Sequence, residues 1–459
     1  MIFYSVLFIS FFLVALVIRS ARSAFYALAE HSVALVDELI ADLDDEAKIK
    51  LVQKGTTRLV VSLLRMVLVI IAALTAGSIP VALFCIISGT GFHDLVFSSF
   101  YSILSISLGA TIPFLLPMGK KNDSDYSELS RLLHRMALDN YHIANRLFRQ
   151  ESRKMARKKV EKREDFVVIS GLARAGTTSL MNDLSRISDF VSLSYANMPF
   201  LMCPNLWAKV YRPGSGKQKE RSHRDGIMIG LNSNEALEEF FFKVKANDAY
   251  IHDSCLSEYA ISREDYGDYL DYQRVIRLDN RKVYLAKNNN FMLRYRSVRS
   301  FNEDFVMVIL YRDPLTHASS LLEKHREYKK MQEADPFVLE YMNWLGHHEF
   351  GMNQKQFIFS QSNDEIRGDQ DSLDYWLGIW INYYRYALTV HHPRTIFINY
   401  EAYCHDPTGT LGTILRVTGV AADPPALHPF HNRREAGTGY SNQLHEAALE
   451  IYRQLDGMA

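Results

Sequence analysis

The run Gly171-Leu172-Ala173-Arg174-Ala175-Gly176-Thr177-Thr178-Ser179 is the part of this 459-residue chain best suited to chemistry on a phosphate-like anion. Its two glycines let the backbone approach an anion closely, and a helix starting at Thr177 would aim the N–H groups of its first turn at the same point. Thr177, Thr178 and Ser179 add hydroxyl donors, and Arg174 adds a fixed positive charge. The spacing from Gly171 to Gly176 is that of a nucleotide P-loop, but Thr177 stands where an NTPase places lysine. That lysine normally reaches the outer phosphates, so its replacement argues against ATP or GTP hydrolysis. No clear strand ending in aspartate follows downstream to hold a metal ion.

Several strands must position this loop and its neighbours. Asp165-Phe166-Val167-Val168-Ile169-Ser170 reads as a buried strand leading into Gly171. Tyr284-Leu285-Ala286 is a strand-like run that ends in Lys287. Phe305 to Leu310 is another buried run, which leaves through Tyr311-Arg312-Asp313-Pro314, with Ser320 eight residues after Arg312. Ile396-Phe397-Ile398-Asn399-Tyr400-Glu401 closes a late strand, followed by Asp406-Pro407 and a helix. This order predicts an α/β domain: a P-loop-like parallel sheet flanked by helices.

Together these segments resemble the sulfotransferases that use 3′-phosphoadenosine 5′-phosphosulfate (PAPS), over roughly residues 166 to 420, and in particular membrane-anchored bacterial-type members. The resemblance implies that Gly171, Arg174, Ala175, Gly176, Thr177, Thr178 and Ser179 bind the 5′-phosphosulfate end, with Ala175 in place of the commoner serine. It implies that Arg312 and Ser320 grip the 3′-phosphate, a task for which the planar guanidinium fork is well shaped. Lys287 would lie near the bridging oxygen and sulfonate and stabilise charge there with Arg174, Thr177 and Thr178. Tyr400 would neighbour the adenine. The implied reaction is in-line sulfuryl transfer to a hydroxyl or amine, with no metal. In cytosolic members a histidine two positions after this lysine is the base. Here that residue is Asn289, which cannot accept the proton. The basic, glycine-containing segment from Arg433 to Gly439 corresponds loosely to a loop that closes over the nucleotide.

Two segments offer a replacement base. One is Ser222-His223-Arg224-Asp225-Gly226; the other runs from Asn232 to Phe240 and carries Glu235, Glu238 and Glu239. Ser233 or Asn234 is expected to cap a helix in which Glu235 shares a face with Glu238 and Glu239. Clustered carboxylates repel, which raises the pKa of one of them. The alternative is a helix start furnished with acids for its dipole. Glu235 and its neighbours are preferred over His223. Residues 327 to 372 are expected to form an acceptor-side insertion. Its His347, His348 and Glu349 read as part of a lid or wall, because adjacent histidines point in different directions and cannot readily share a metal.

The first 121 residues read as a membrane module of three spans, at about 1–18, 66–88 and 95–118. A signal peptide is disfavoured, since no positive region precedes the first apolar run and no small-residue cleavage site follows it. Arg19, Arg22, Lys48, Lys50, Lys54, Arg58, Arg65, Lys120 and Lys121 all fall on one side, and the loop between the second and third spans has no Lys or Arg. The positive-inside rule then puts the N-terminus outside and everything after Gly119 in the cytoplasm, in the inner membrane if the cell is bacterial. Residues 122–164 are expected to be a linker whose basic part, Arg149 to Arg163, meets anionic membrane lipids at about 1 kcal/mol per well-placed charge or forms a solvated face. The catalytic domain would span 165–459.

Lys+Arg and Asp+Glu both total 52, so net charge offers no argument for a nucleic-acid partner. Cys85, Cys203, Cys255 and Cys404 form no CxxC pair and imply neither a zinc site nor a disulfide framework. Two other functions fit these residues less well: a P-loop kinase or NTPase, and a non-catalytic membrane scaffold that retains the fold. Membrane anchoring points to a lipid, glycolipid or saccharide acceptor.

Overall fold

The computed structural model describes residues 1–116, 128–211, 219–220, 228–229, 236–360, 366–431 and 436–459. It divides into two units, Met1–Ile143 and Ala144–Ala459.

The first unit is helical: α1 (Ile2–Ser20), α2 (Arg22–Ile40), α3 (Asp45–Ser88), α4 (Phe100–Leu115) and α5 (Glu128–Leu138). Asp44 starts α3 by accepting from the Ala47 N–H at 2.9 Å. The helix runs 44 residues, so the expected second span is the continuation of a helix that begins in the connector. Among the described residues two helices, α1 and α3, are long and apolar enough to cross a membrane. The expected third span is shorter than anticipated. Gly89, at φ 68°, ends α3, a 3₁₀ turn occupies Phe92–Asp94, and α4 has 16 residues. Sixteen residues rise about 24 Å, short of the ~30 Å hydrocarbon core.

The packing of this unit is the reverse of a soluble bundle. The buried positions of α3 are Gly55, Ser62, Ala73 and Gly77, whereas Leu68, Leu74, Ile86 and Ile87 are exposed. A Cβ at Gly77 would strike the Val14 side chain, and one at Gly109 of α4 would strike the backbone at Phe8. Small residues at helix contacts with large apolar ones outside is the arrangement that suits helices in lipid. At one end, the Phe3 ring lies 5.5 Å from Phe84 and 6.0 Å from Phe97, and Tyr4 lies 5.6 Å from Tyr101. At the other, Arg19 donates to the Leu116 carbonyl at 2.6 Å. Hence α1 and α4 run parallel, and α3 runs against both.

The second unit opens with most of α6 (Tyr141–Arg157), in residues expected to be linker. The reason is burial: Phe148 and Met155 are inside, and Glu151 accepts from the Asn205 side chain at 3.0 Å. The basic residues Arg149, Arg153 and Arg157 form the exposed face of this helix. The strands are β1 (Val167–Ser170), β2 (Phe190–Val191), β3 (Lys219–Glu220), β4 (Met228–Ile229), β5 (Cys255–Ser257), β6 (Val283–Lys287), β7 (Val306–Tyr311), β8 (Gln356–Ile358) and β9 (Thr395–Asn399). The main sheet has the order β2-β6-β1-β7-β9 and is parallel throughout. The helices are α7 (Thr177–Leu184), α8 (Pro204–Val210), α9 (Glu239–Ala246), α10 (Arg263–Arg277), α11 (Tyr295–Phe301), α12 (Pro314–Ala334), α13 (Pro336–Leu345), α14 (Leu373–Ala387), α15 (Tyr400–His405), α16 (Pro407–Thr418) and α17 (Asn442–Asp456).

β1, β6 and β7 are buried along their whole length, as their unbroken apolar runs require. Val167, Ile169, Leu285, Val308 and Leu310 pack with Leu180 and Leu184 of α7 and Leu411 and Ile414 of α16. Each such side chain contributes roughly 1.5–3 kcal/mol when removed from water. Parallel pairing brings the C-terminal ends of β1, β6, β7 and β9 to one edge: Ile169 sits beside Lys287, and Tyr311 beside Asn399. Ligands of open α/β sheets bind at that edge.

Candidate active site

The loop after β1 is held in a shape most residues resist. Gly171 has φ 146°, and a Cβ there would lie 2.6 Å from the Leu310 carbonyl oxygen. Gly176 has φ 98° and begins α7; a Cβ there would enter the Tyr400 ring. Between them Arg174 adopts φ 71°, a left-handed conformation that costs a non-glycine residue about 1–2 kcal/mol. Tertiary bonds hold it there. Its Nε donates to the Ser320 hydroxyl at 3.3 Å, and its carbonyl accepts from Arg312 Nη1 at 3.4 Å. The N-cap of α7, Gly176, has no side chain to cap the helix, whose first turn is left to present its donors to an incoming anion.

Three cations reach this loop from three different places. Arg174 belongs to it. Lys287, the last residue of β6, donates to the Thr178 hydroxyl at 2.8 Å. Arg312 follows β7 immediately, with its guanidinium 5.1 Å from the Tyr400 ring centre and 3.9 Å from the Glu401 carboxylate. Burial lowers the Arg312 pKa, with Tyr400 and Glu401 opposing that shift. Lys287, Arg312 and Ser320 are all buried. The structure thus brings together the loop, Lys287, Arg312, Ser320 and Tyr400, residues separated by more than two hundred positions. A loop with this donor set can hold an elongated polyanion. Gly437 donates to Ser319 at 2.8 Å, so the C-terminal segment reaches α12 beside Ser320; Arg433, Arg434 and Glu435 lie outside the described residues.

Sequence inspection missed His317. It sits one turn before Ser320 on the same face of α12, fully buried, with Nε2 donating to the Ala173 carbonyl at 2.8 Å. Burial, and then the charge of Arg312, push its pKa down to about 3, so the ring is neutral and serves as a fixed brace for the loop. The i, i+3 spacing to Ser320 is the signal that would have found it.

The acid segment is arranged differently from expectation. α9 begins at Glu239, with Glu238 at its N-cap. Glu239 is paired with the buried Arg294 through two bonds of 2.6 and 2.7 Å and also accepts from Tyr250. Glu238 accepts from Tyr269 at 2.5 Å, Tyr284 at 3.0 Å and Asn288 at 3.1 Å. Burial raises the Glu238 pKa, and those hydrogen bonds oppose it. Both carboxylates are committed to the core beneath the site. His223 and Glu235 lie outside the described residues.

The Asn288-Asn289-Asn290 turn that follows Lys287 ties the site to the segment after α13. Asn288 bonds to Glu238, Asn289 donates to Glu349 at 3.4 Å, and Asn290 donates to the Gly346 carbonyl at 2.9 Å. His347 and His348 do point apart: one ring faces the Ala236 carbonyl, the other the Asn353 carbonyl.

No protein-family profile matches the chain, and no curated protein does. Among solved structures, it is similar to sulfotransferase STF1 from Mycobacterium tuberculosis H37Rv, with 12% identity, a TM-score of 0.40, and coverage of 70% of this chain and 85% of that one. A sulfotransferase from Alicyclobacillus acidocaldarius gives 14% identity and a TM-score of 0.31, covering 63% and 94%. Sulfotransferase STF9 from Mycobacterium avium gives 11% and 0.34, covering 72% and 79%. Likenesses this loose assign no activity.

Proposed function

We propose that this chain transfers a sulfuryl group from PAPS to a hydroxyl or amine of a lipid, glycolipid or saccharide. The observation that carries the proposal is the convergence of Arg174, Lys287 and Arg312 on one uncapped helix N-terminus, with Ser320 bonded to Arg174. PAPS has two separate anionic ends, and the donors form two adjoining groups. Thr177, Thr178, Ser179, Arg174 and Lys287 would take the phosphosulfate. Arg312 and Ser320 would take the 3′-phosphate, and Tyr400 would border the base. When bound, PAPS supplies an activated sulfuryl group; the cations lower the energy of charge gathering on the leaving phosphate.

Kinase or NTPase chemistry fits less well. The acid nearest the end of β7 is Asp313, and its carboxylate caps α12 by accepting from the Thr316 N–H at 2.8 Å. The amine at the loop comes from β6 rather than from the loop itself. In detergent, 3′-phosphoadenosine 5′-phosphate should raise the melting temperature by several degrees, since saturation at a hundredfold excess over Kd is worth about 2.7 kcal/mol. Magnesium-ATP should leave it unchanged. Stabilisation by ATP alone ends the proposal.

The same proposal places α1, the apolar part of α3 and the α4 segment across a membrane, N-terminus outside and the second unit in the cytoplasm. Its support is the reversed packing, the ring cluster at one end of the bundle, and the basic residues Arg19 to Arg65 by the other. Alkaline phosphatase fused after Gly91 should be active, and the same enzyme fused after Ala459 inactive. The opposite pattern inverts the topology and removes the cytoplasmic assignment.

A further inference from the structure

We propose that Glu349 is the general base of the transfer, with His347 as its positioning residue; this deepens, and rests on, the sulfuryl-transfer function above. The position two residues after Lys287 holds Asn289, which has no proton-accepting role to play. Its side-chain amide instead donates to Glu349 Oε1 at 3.4 Å. A carboxylate from a distant segment is thereby brought beside the residue that cannot do the work.

The segment that delivers it is firmly built. α13 ends at Gly346, at φ 70°, where a Cβ would press on Glu239 and Lys243 of α9. Lys243 donates to the carbonyls of Asn343 and Trp344, satisfying the end of that helix. Asn290 holds the Gly346 carbonyl at 2.9 Å. Glu238 and Glu239 are therefore the foundation of this corner, and Glu349 is the acid that stands on it.

His347 fixes the protonation of its partner. Its Nε2 lies 3.1 Å from the Ala236 carbonyl, which can only accept, so Nε2 carries a proton. Its Nδ1 lies 3.4 Å from Glu349 Oε2. With a proton on that nitrogen as well, the two side chains form an imidazolium–carboxylate pair. Burial alone would raise the Glu349 pKa, but the charge and hydrogen bond of His347, with a further contribution from Lys287, outweigh it and hold the carboxyl at about 2. Glu349 is then ionised across the physiological range.

In the step, the acceptor oxygen bonds to sulfur as the bond from sulfur to the bridging 5′-phosphate oxygen breaks. That oxygen keeps the electron pair, near Lys287, and the acceptor's proton passes to Glu349. A carboxylate of low basicity suffices, because an oxygen forming a bond to sulfur holds its proton far more weakly than a carboxylate does.

The test uses the full chain in detergent, labelled PAPS and a total membrane lipid extract. Glu349→Gln should lower transfer by about 10²- to 10⁴-fold while 3′-phosphoadenosine 5′-phosphate still raises its melting temperature as in the unaltered chain. Glu349→Asp should recover part of the loss. His347→Gln removes the cation that keeps Glu349 ionised, so burial should raise the base's pKa and shift the acid limb of kcat/KM to higher pH; a merely structural change would lower activity without moving that limb. Full transfer by Glu349→Gln overturns the base assignment alone, as does loss of nucleotide stabilisation in that variant. Absence of transfer by the unaltered chain overturns the sulfuryl-transfer function and the base with it.

Discussion

Lys287→Ala should cut labelled-sulfate transfer by about 10²- to 10³-fold in kcat, the usual effect of removing one preorganised donor from a site of developing charge. The amine is buried at the end of β6 and bonded to Thr178 at 2.8 Å, so it needs no rearrangement to meet a leaving phosphate. Affinity for 3′-phosphoadenosine 5′-phosphate should change far less, because Arg312, Ser320 and the loop backbone remain. Lys287→Arg should restore only a fraction, since the guanidinium is larger and planar and its donors lie elsewhere. Single-turnover transfer together with nucleotide melting shifts separates these effects. Undiminished transfer by Lys287→Ala removes the lysine from the mechanism.

Arg294→Met should produce the largest loss of stability, about 3–5 kcal/mol, because it strands the Glu239 carboxylate in the core. The arginine side chain is fully buried, meets Glu239 through two hydrogen bonds, and lies 4.2 Å from the centre of the Phe242 ring. Glu239→Gln in the same chain should recover much of the loss, since it removes the unpaired charge that makes the single change costly. Chemical denaturation of the two single variants and the double variant measures the coupling. A single variant as stable as the parent would show the pair to be dispensable. The contrast with Lys287→Ala is diagnostic: one variant should be stable and inactive, the other unstable throughout.

The contrast also shows what one sequence makes legible. Gly171, Lys287, Arg312 and Tyr400 each lie at the end of an apolar run, where a strand passes into a loop or helix. Because all four strands are parallel, similar local patterns place all four residues at one edge. Helical spacing reports a shared face only where a helix exists, and α9 starts at Glu239, later than the expected cap at Ser233 or Asn234 implies. Glu238 and Glu239 then found buried partners, Tyr269 and Arg294, far along the chain. The pairing of Asn289 with Glu349 spans sixty residues and leaves no local trace. Charge dominates the composition of Arg149 to Arg163 and makes it read as a linker, yet Phe148, Glu151 and Met155 on the other face of α6 are buried in the second unit.

The contact between Gly176 and Tyr400 has a consequence for anyone transplanting this loop. The glycine leaves room for an aromatic ring that arrives from the end of β9, and the same ring lies under Arg312. A graft of residues 167 to 184 into another scaffold would carry the backbone shape and lose what surrounds it. The transferable unit is discontinuous, made of the loop and the ends of β6, β7 and β9. In a family shuffled by recombination, crossovers between residues 176 and 400 would be tolerated only when both parents carry the same glycine–tyrosine pairing.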